Sequence, residues 1–304
     1  MKNNYFKKIL IIGFGLIGSS VARAVKKNDI SREIYAIEKN DQVIKKCKKL
    51  RIVKQIKKNI KEYSLQFDLI IICSPLSSYK NIFLELNTYI NKKTIITDVG
   101  STKLSVIKDF KENCKNKNVD FIPSHPIAGL EKSGPEYGFA NLFNDRFCII
   151  TPFNKKNESL RKIKKFWQTI GMKIEIMDAK RHDRVLAMTS HIPQLIAYSI
   201  VYTANDLEKH LKDEVIKYSA GGLRDFTRLA GSDPIMWRDI YSLNKEPVIE
   251  MLGRFTEDLS TLQKAIRNND TNFLQTTFNS TRKIRKIIEK IGQAGTFDPT
   301  EKKK

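Results

Sequence analysis

The sequence predicts an α/β fold in which a doubly wound parallel sheet is followed by an all-α domain. Three observations predict it: short apolar runs alternating with helix-like stretches through the first half, a glycine-rich turn after the first of those runs, and a change to helical periodicity past residue 178. A chain of 304 residues has room for more than one domain. The boundaries are expected at 1–178 for the sheet domain and 179–292 for the helical domain, with a disordered tail over 293–304.

The strands are read from ILII at 9–12, EIYAI at 33–37, DLIIIC at 68–73 and TIITD at 94–98, with VDFI at 119–122 as a fifth. CIIT at 148–151 follows, then a helix over about 158–170 stopped by Gly171, then a strand in KIEIM at 173–177. Ligands of such a sheet bind beyond the carboxyl ends of its strands. GFGLIG at 13–18, SPLSS at 74–78, VGSTK at 99–103 and PSHPIAG at 123–129 should therefore gather on one edge.

Gly13, Gly15 and Gly18 have the G-x-G-x-x-G spacing, directly after a strand and before a helix. Gly13 permits a tight turn, Gly15 admits a pyrophosphate to the backbone and Gly18 lets helix and strand pack closely. Leu16 and Ile17 open the helix, whose free N–H groups and positive dipole favour phosphate. Ser74 and Pro75 lie on the adjoining edge. Glu38 stands twenty residues past Gly18, where a carboxylate can accept from ribose hydroxyls and repel a 2′-phosphate. NAD is thus expected over NADP, although Lys39 pulls the other way and Glu38 could be a solvated strand-end charge.

His125, one of only four histidines, falls on the predicted ligand edge, as does Ser101. His125 could otherwise be an ordinary histidine, and Ser101 or Thr102 an N-cap of the next helix. Past Ala179, helices are expected near 179–206, 211–220, 224–230, 234–242, 245–268 and 270–291, with Pro193 kinking the first of them beside His191. Arg224 and Arg228 share a helix face, where a guanidinium can grip a carboxylate; an Asp225 to Arg228 pair is the plainer alternative.

Composition narrows the partners. The net charge of +22 would suit nucleic acid, but the lysines are spread along the chain and no basic run interleaves with aromatics, so no nucleic-acid role is expected. Cys47, Cys73, Cys114 and Cys148 form no C-x-x-C pair, which argues against zinc and disulfides and for a reducing cytoplasm. The first two dozen residues imitate a secretory signal, yet carry the glycine motif. No apolar run reaches the roughly 18 residues of a membrane span. The best, Ile192–Val201, contains Pro193 and Gln194, so no membrane association is expected.

GFGLIGSS, DVGSTK, HPIAGLEKSG, SHIPQ and DFTRLAGSDPIMWRDI occur in the order and at spacings similar to those of the prephenate and arogenate dehydrogenase family of tyrosine biosynthesis, which the chain resembles over nearly its whole length. The resemblance implies a Rossmann-like NAD domain, a helical domain that forms a homodimer, and prephenate or arogenate as substrate. It implies that His125 contacts the ring hydroxyl, that Ser101 lies beside that hydroxyl and the nicotinamide, and that Arg228 binds a substrate carboxylate, with Gly221 and Asp225 in the preceding segment. His191 matches the first histidine of the family's SHLPH, while Gln194 replaces the second and leaves keto acid against amino acid open. Leu130 stands where Thr or Ser is common. The rival readings are a β-hydroxyacid dehydrogenase, which lacks support because no well-placed lysine opens the second half, a non-catalytic NAD sensor and a nucleic-acid binder.

Overall fold

The computed structural model describes residues 6–64, 66–153, 157–207 and 209–291; the expected tail at 293–304 lies outside them. Six strands form one parallel sheet: β1 (Lys8–Ile12), β2 (Glu33–Ile37), β3 (Gln55–Lys57), β4 (Leu69–Ile72), β5 (Thr94–Asp98) and β6 (Val119–Ile122), in the order β3-β2-β1-β4-β5-β6. The order reverses between β1 and β4, so the turns after these two strands flank the crevice where such sheets bind ligands. Ile9, Ile11, Leu69 and Ile71 point to one face of the sheet and Leu10, Ile70, Ile72 and Ile96 to the other, and both faces are buried. That two-sided burial explains why these strands read as continuous isoleucine runs rather than alternating ones. Helices α1 (Leu16–Lys27), α2 (Asp41–Leu50), α3 (Tyr79–Tyr89) and α4 (Leu104–Asn113) make the crossovers.

The structure differs from the sequence reading at several places. β3 is an added edge strand, too short and polar to signal itself. The segment around His125, expected as a loop, contains a strand, β7 (Ser124–Pro126), paired antiparallel to β8 (Phe147–Ile150), which pairs parallel with β9 (Lys173–Ile176) beyond α5 (Glu158–Thr169). These three strands form a second sheet rather than extending the first.

The helices α6 (Ala179–Leu186), α7 (Ile192–Asn205), α8 (Lys209–Lys217), α9 (Gly221–Ala230), α10 (Pro234–Leu243), α11 (Lys245–Arg267) and α12 (Thr271–Lys290) follow the expected periodicity. A π-helical turn, Ala187–His191, joins α6 to α7 just before Pro193. Proline has no N–H to donate and its ring crowds the carbonyl four residues back, so the widened turn is where the anticipated distortion is taken up. The run Ala179–Asn205 is therefore 27 helical residues long and contains an 18-residue window with a mean hydropathy of 1.2, 33% of it buried, which passes for a membrane span by length and composition only. This corrects the expectation that no apolar stretch is long enough, for which the best candidate was Ile192–Val201 with Pro193 and Gln194 inside it. His182, Asp183, His191 and Gln194 on this run are all buried.

By packing, the chain divides into Met1–Val248 and Ile249–Lys304. Residue 178 marks the change from strands to helices but no break in packing, because Trp237 and Ile240 of α10 share a core with Leu10, Ile70 and Tyr79. In the second unit α12 is capped by Asp270, whose carboxylate accepts from Phe273 N–H, and none of its residues is buried. Phe278, Ile284 and Ile287 are exposed along it.

Candidate active site

The glycine turn has the geometry its spacing implies. Gly13 has φ +90°, and a Cβ there would lie 2.7 Å from both Cys73 O and Ser74 Oγ. A Cβ on Gly18 would meet Gly13 O at 2.1 Å, so α1 can approach β1 only without one. At Gly15 a Cβ would touch nothing within 4 Å, the open space a ligand phosphate needs. Helix α1 starts at Leu16, with Ile17 next, and no side chain caps its N-terminus. Ser74 Oγ donates to Ile12 O at 3.1 Å, which fastens the β4 turn, with Pro75 following, to the end of β1. Glu38 accepts from Phe14 N–H on one oxygen and from Lys39 and Asn40 N–H on the other, at 2.8–2.9 Å. Its carboxylate is thus held across the end of β2 against the glycine turn rather than left as a loose surface charge. An uncapped helix start, open space at Gly15 and a fixed carboxylate together fit a dinucleotide.

The second cluster is built on β5. Asp98, fully buried at the strand's end, accepts from Lys103 Nζ at 2.5 Å, Gly100 N–H at 2.9 Å and Ser124 N–H at 3.0 Å. Lys103, also fully buried, donates in addition to Ser124 O at 2.7 Å. A buried charge is tolerable only when paired and hydrogen-bonded, and this pair is both. It clamps β7 at the residue before His125.

His125 retains 8% exposure. Its Nδ1 lies 2.9 Å from His182 Nε2, and His182 Nδ1 lies 2.7 Å from Asp183 Oδ1. Asp183 also accepts from Lys103 and Leu104 N–H at 2.8 and 2.9 Å, capping α4 from a distant helix. The cap that was the plainer alternative for Ser101 or Thr102 is therefore supplied from elsewhere. Thr102 Oγ1 is instead hydrogen-bonded to Ser105 Oγ, and Ser101 stays half-buried on the turn between Asp98 and Lys103. Burial pulls His125 well below the ordinary imidazole range, with His182, Lys103 and His191 acting in the same direction. His182 is lowered too, again by burial first, but the hydrogen bond to Asp183 opposes the shift. Near neutral pH both rings are neutral, so His125 can accept a proton.

His191 sits inside the fold. Its Nδ1 is 3.1 Å from Asn244 Nδ2, which also donates to Asp183 O at 2.9 Å, and Trp237 meets its ring edge to face at 6.0 Å. Burial pushes His191 down to about 4. Gln194, buried on α7, donates Nε2–H to Leu229 O at 2.8 Å and so ties α7 to α9. On α9, Arg228 is ion-paired with Glu131, six residues past His125, rather than with Asp225. Its side chain is 56% exposed, and Asp225 and Gly221 are exposed on the same helix. The ion pair thus ties Arg228 to the 127–131 segment that follows His125, while His191 lies buried against Asn244 and Trp237.

His182, Asp183, Asp98, Lys103, Glu131 and Asn244 escaped the sequence reading as individuals. His182 and Asp183 lie within KRHDR, where three basic residues surround them, although a histidine in a chain with four of them was a usable signal.

Residues 21–176 match the model for the prephenate dehydrogenase nucleotide-binding domain, and residues 178–280 that for the prephenate dehydrogenase dimerization domain. The cyclohexadienyl dehydrogenase of Zymomonas mobilis is 37% identical over 93% of this chain and 97% of its own. The prephenate dehydrogenase of Lactococcus lactis is 31% identical over 93% of this chain and 78% of its own. The crystal structure of prephenate dehydrogenase from Aquifex aeolicus in complex with hydroxyphenyl propionate and NAD+ superimposes with a TM-score of 0.85 at 31% identity, covering 92% of this chain and 98% of that one. With both halves matched in order and relatives at least 31% identical over 92–93% of this chain, the chain belongs to the prephenate dehydrogenase family.

Proposed function

We infer that the protein is an NAD-dependent oxidoreductase that converts prephenate to 4-hydroxyphenylpyruvate and carbon dioxide in tyrosine biosynthesis. The observation that carries the residue assignment is His125: one ring nitrogen is engaged by His182, and among the described residues the other has no hydrogen-bond partner. Bound NAD+ supplies the acceptor for the hydride. Gly13, Gly15, Leu16, Ile17 and Gly18 are assigned to its pyrophosphate, Glu38 to its adenosine ribose, and Ser74, Pro75 and Ser101 to the nicotinamide side of the edge.

As the hydroxyl-bearing ring carbon loses hydride, its oxygen gains carbonyl character and becomes acidic. His125 takes the hydroxyl proton, and the electrons of the breaking bond to the ring carboxylate aromatise the ring. The product is a phenol, so the proton returns to the same oxygen and none is released overall. Ser101 is assigned to hold the hydroxyl in line. Arg228 is assigned to a substrate carboxylate, exchanging Glu131 for it, with Gly221 and Asp225 shaping the approach. His191, given its burial, is assigned to support the site through Asn244 rather than to touch substrate.

Arogenate is a second substrate on one observation. Leu229 O can only accept, so the Gln194 amide must turn its nitrogen there and its acceptor oxygen elsewhere. A neutral acceptor suits an amino acid's ammonium better than a second histidine would. The helical half, residues 179–292, is assigned to substrate binding and self-association as a homodimer, and the compartment is the cytoplasm, with neither membrane nor nucleic acid as a partner. The test is NADH formation with prephenate and with arogenate, each with NAD+ and NADP+, alongside sedimentation at micromolar concentration. Absence of turnover with both substrates would sink the reading; better use of NADP+ would shift the ribose contact from Glu38 to Lys39.

A further inference from the structure

The histidine pair permits a single arrangement of hydrogens. A carboxylate only accepts, so with both rings neutral His182 Nδ1 carries its hydrogen toward Asp183 Oδ1, 2.7 Å away. His182 Nε2 must then be the acceptor, and His125 Nδ1, 2.9 Å away, must be the donor. Asp183 cannot turn away, because its two oxygens also accept from Lys103 and Leu104 N–H. The chain Asp183, His182, His125 therefore leaves the basic lone pair of His125 on Nε2, the nitrogen without a partner among the described residues.

We propose that His182 is a positioning and proton-holding residue: it fixes His125 as the Nδ1–H tautomer and, against Asp183, holds the proton displaced from His125 Nδ1 while His125 Nε2 keeps the substrate's hydroxyl proton, until the phenolate takes that proton back. This rests on the reaction assigned above. When Nε2 of His125 accepts the hydroxyl proton, the Nδ1 proton moves to His182 Nε2. The positive charge then sits on the ring that touches a carboxylate, and each proton retraces its step when the product oxygen is reprotonated. The charged groups around the pair favour that placement. Lys103, on the α4 side, opposes charge on either ring, but its own ammonium is matched by Asp98. His191, from the π turn, adds a further term against charge on His125, while Asp183 and Asp98 favour it on His182.

The test uses His182→Gln, whose side-chain oxygen can still accept from His125 Nδ1–H but whose amide cannot hold a proton. The expected result is a kcat lowered by about 10-fold or more, with KM for prephenate and Kd for NAD+ unchanged. The acid limb of the kcat/KM profile should move to lower pH, because the proton site stabilised by Asp183 is gone. A purely structural role would leave that limb in place, and a variant with normal kcat and an unmoved limb overturns the proposal. In the unsubstituted protein, 15N spectra of the four histidines should show His125 protonated on Nδ1. Protonation on Nε2 overturns it, whether or not the variant folds. If the unsubstituted enzyme turns over neither prephenate nor arogenate, the assigned reaction fails, and the 15N spectrum then decides the histidine order alone.

Discussion

The cluster around His125 and the helix that carries Arg228 are built in opposite ways. Around His125, each charged group has a fixed partner inside the fold: Asp98 with Lys103, and Asp183 with His182 and the start of α4. On α9 no residue is buried, and among the described residues Arg228 holds only an exposed pair with Glu131. The buried cluster is organised before substrate arrives, as a group that must meet a developing charge has to be. The exposed arginine has a weak partner that a substrate carboxylate can replace at little cost. On the proposed assignment, one end of the site is thus arranged for chemistry and the other for capture.

The comparison breaks most visibly at Lys103. Lys103→Met leaves Asp98 buried without its cation, and stability should fall by about 3 to 5 kcal/mol, measured by urea denaturation. A loss below about 1 kcal/mol, the scale of an exposed pair, would mean that the cluster is no more fixed than α9. His125→Asn should lower kcat by about 10²-fold or more while NAD+ affinity, read by fluorescence titration, stays unchanged. Near-normal kcat would return His125 to ordinary packing. Arg228→Ala should raise KM for prephenate by an amount equivalent to roughly 2 kcal/mol, with kcat nearly intact and the melting temperature unmoved. A large loss of stability instead would show α9 to be part of the core. Gly15→Ala is the mildest: with open space at the Cβ, stability should stay within about 0.5 kcal/mol, but calorimetry should show weaker NAD+ binding.

The same contrast explains what could be read in advance. The strands of the large sheet are buried on both faces and so appear as isoleucine runs, and the glycines at 13 and 18 answer local steric demands while Gly15 leaves open space between them. Such features are written over a few consecutive residues. The cluster around His125 is assembled from positions 98, 103, 125, 182 and 183, and the contact joining His125 to His182 spans 57 residues. No local pattern encodes that distance. β7 was hidden for a related reason: three residues ending in proline carry no alternation, and only β8, found far along the chain, makes them a strand. Arg228 was legible as a carboxylate ligand, but its resting partner was not, because Glu131 lies in a loop 97 residues earlier.

The π turn at Ala187–His191 has a consequence for angular phase. Such a turn amounts to one residue inserted into an α-helix, and each residue of an α-helix advances the face by about 100°. α6 and α7 are therefore two segments whose faces are offset by that single insertion. It allows His182 to face His125 while Gln194, twelve positions on, faces Leu229 of α9. Deleting one residue from 187–191 would make the helix regular and rotate everything beyond it by about 100°. Gln194 would turn from α9 and His191 from Asn244, and a chain altered in length by one residue would keep the contact of His182 with His125 while losing the tie that aligns α7 with α9.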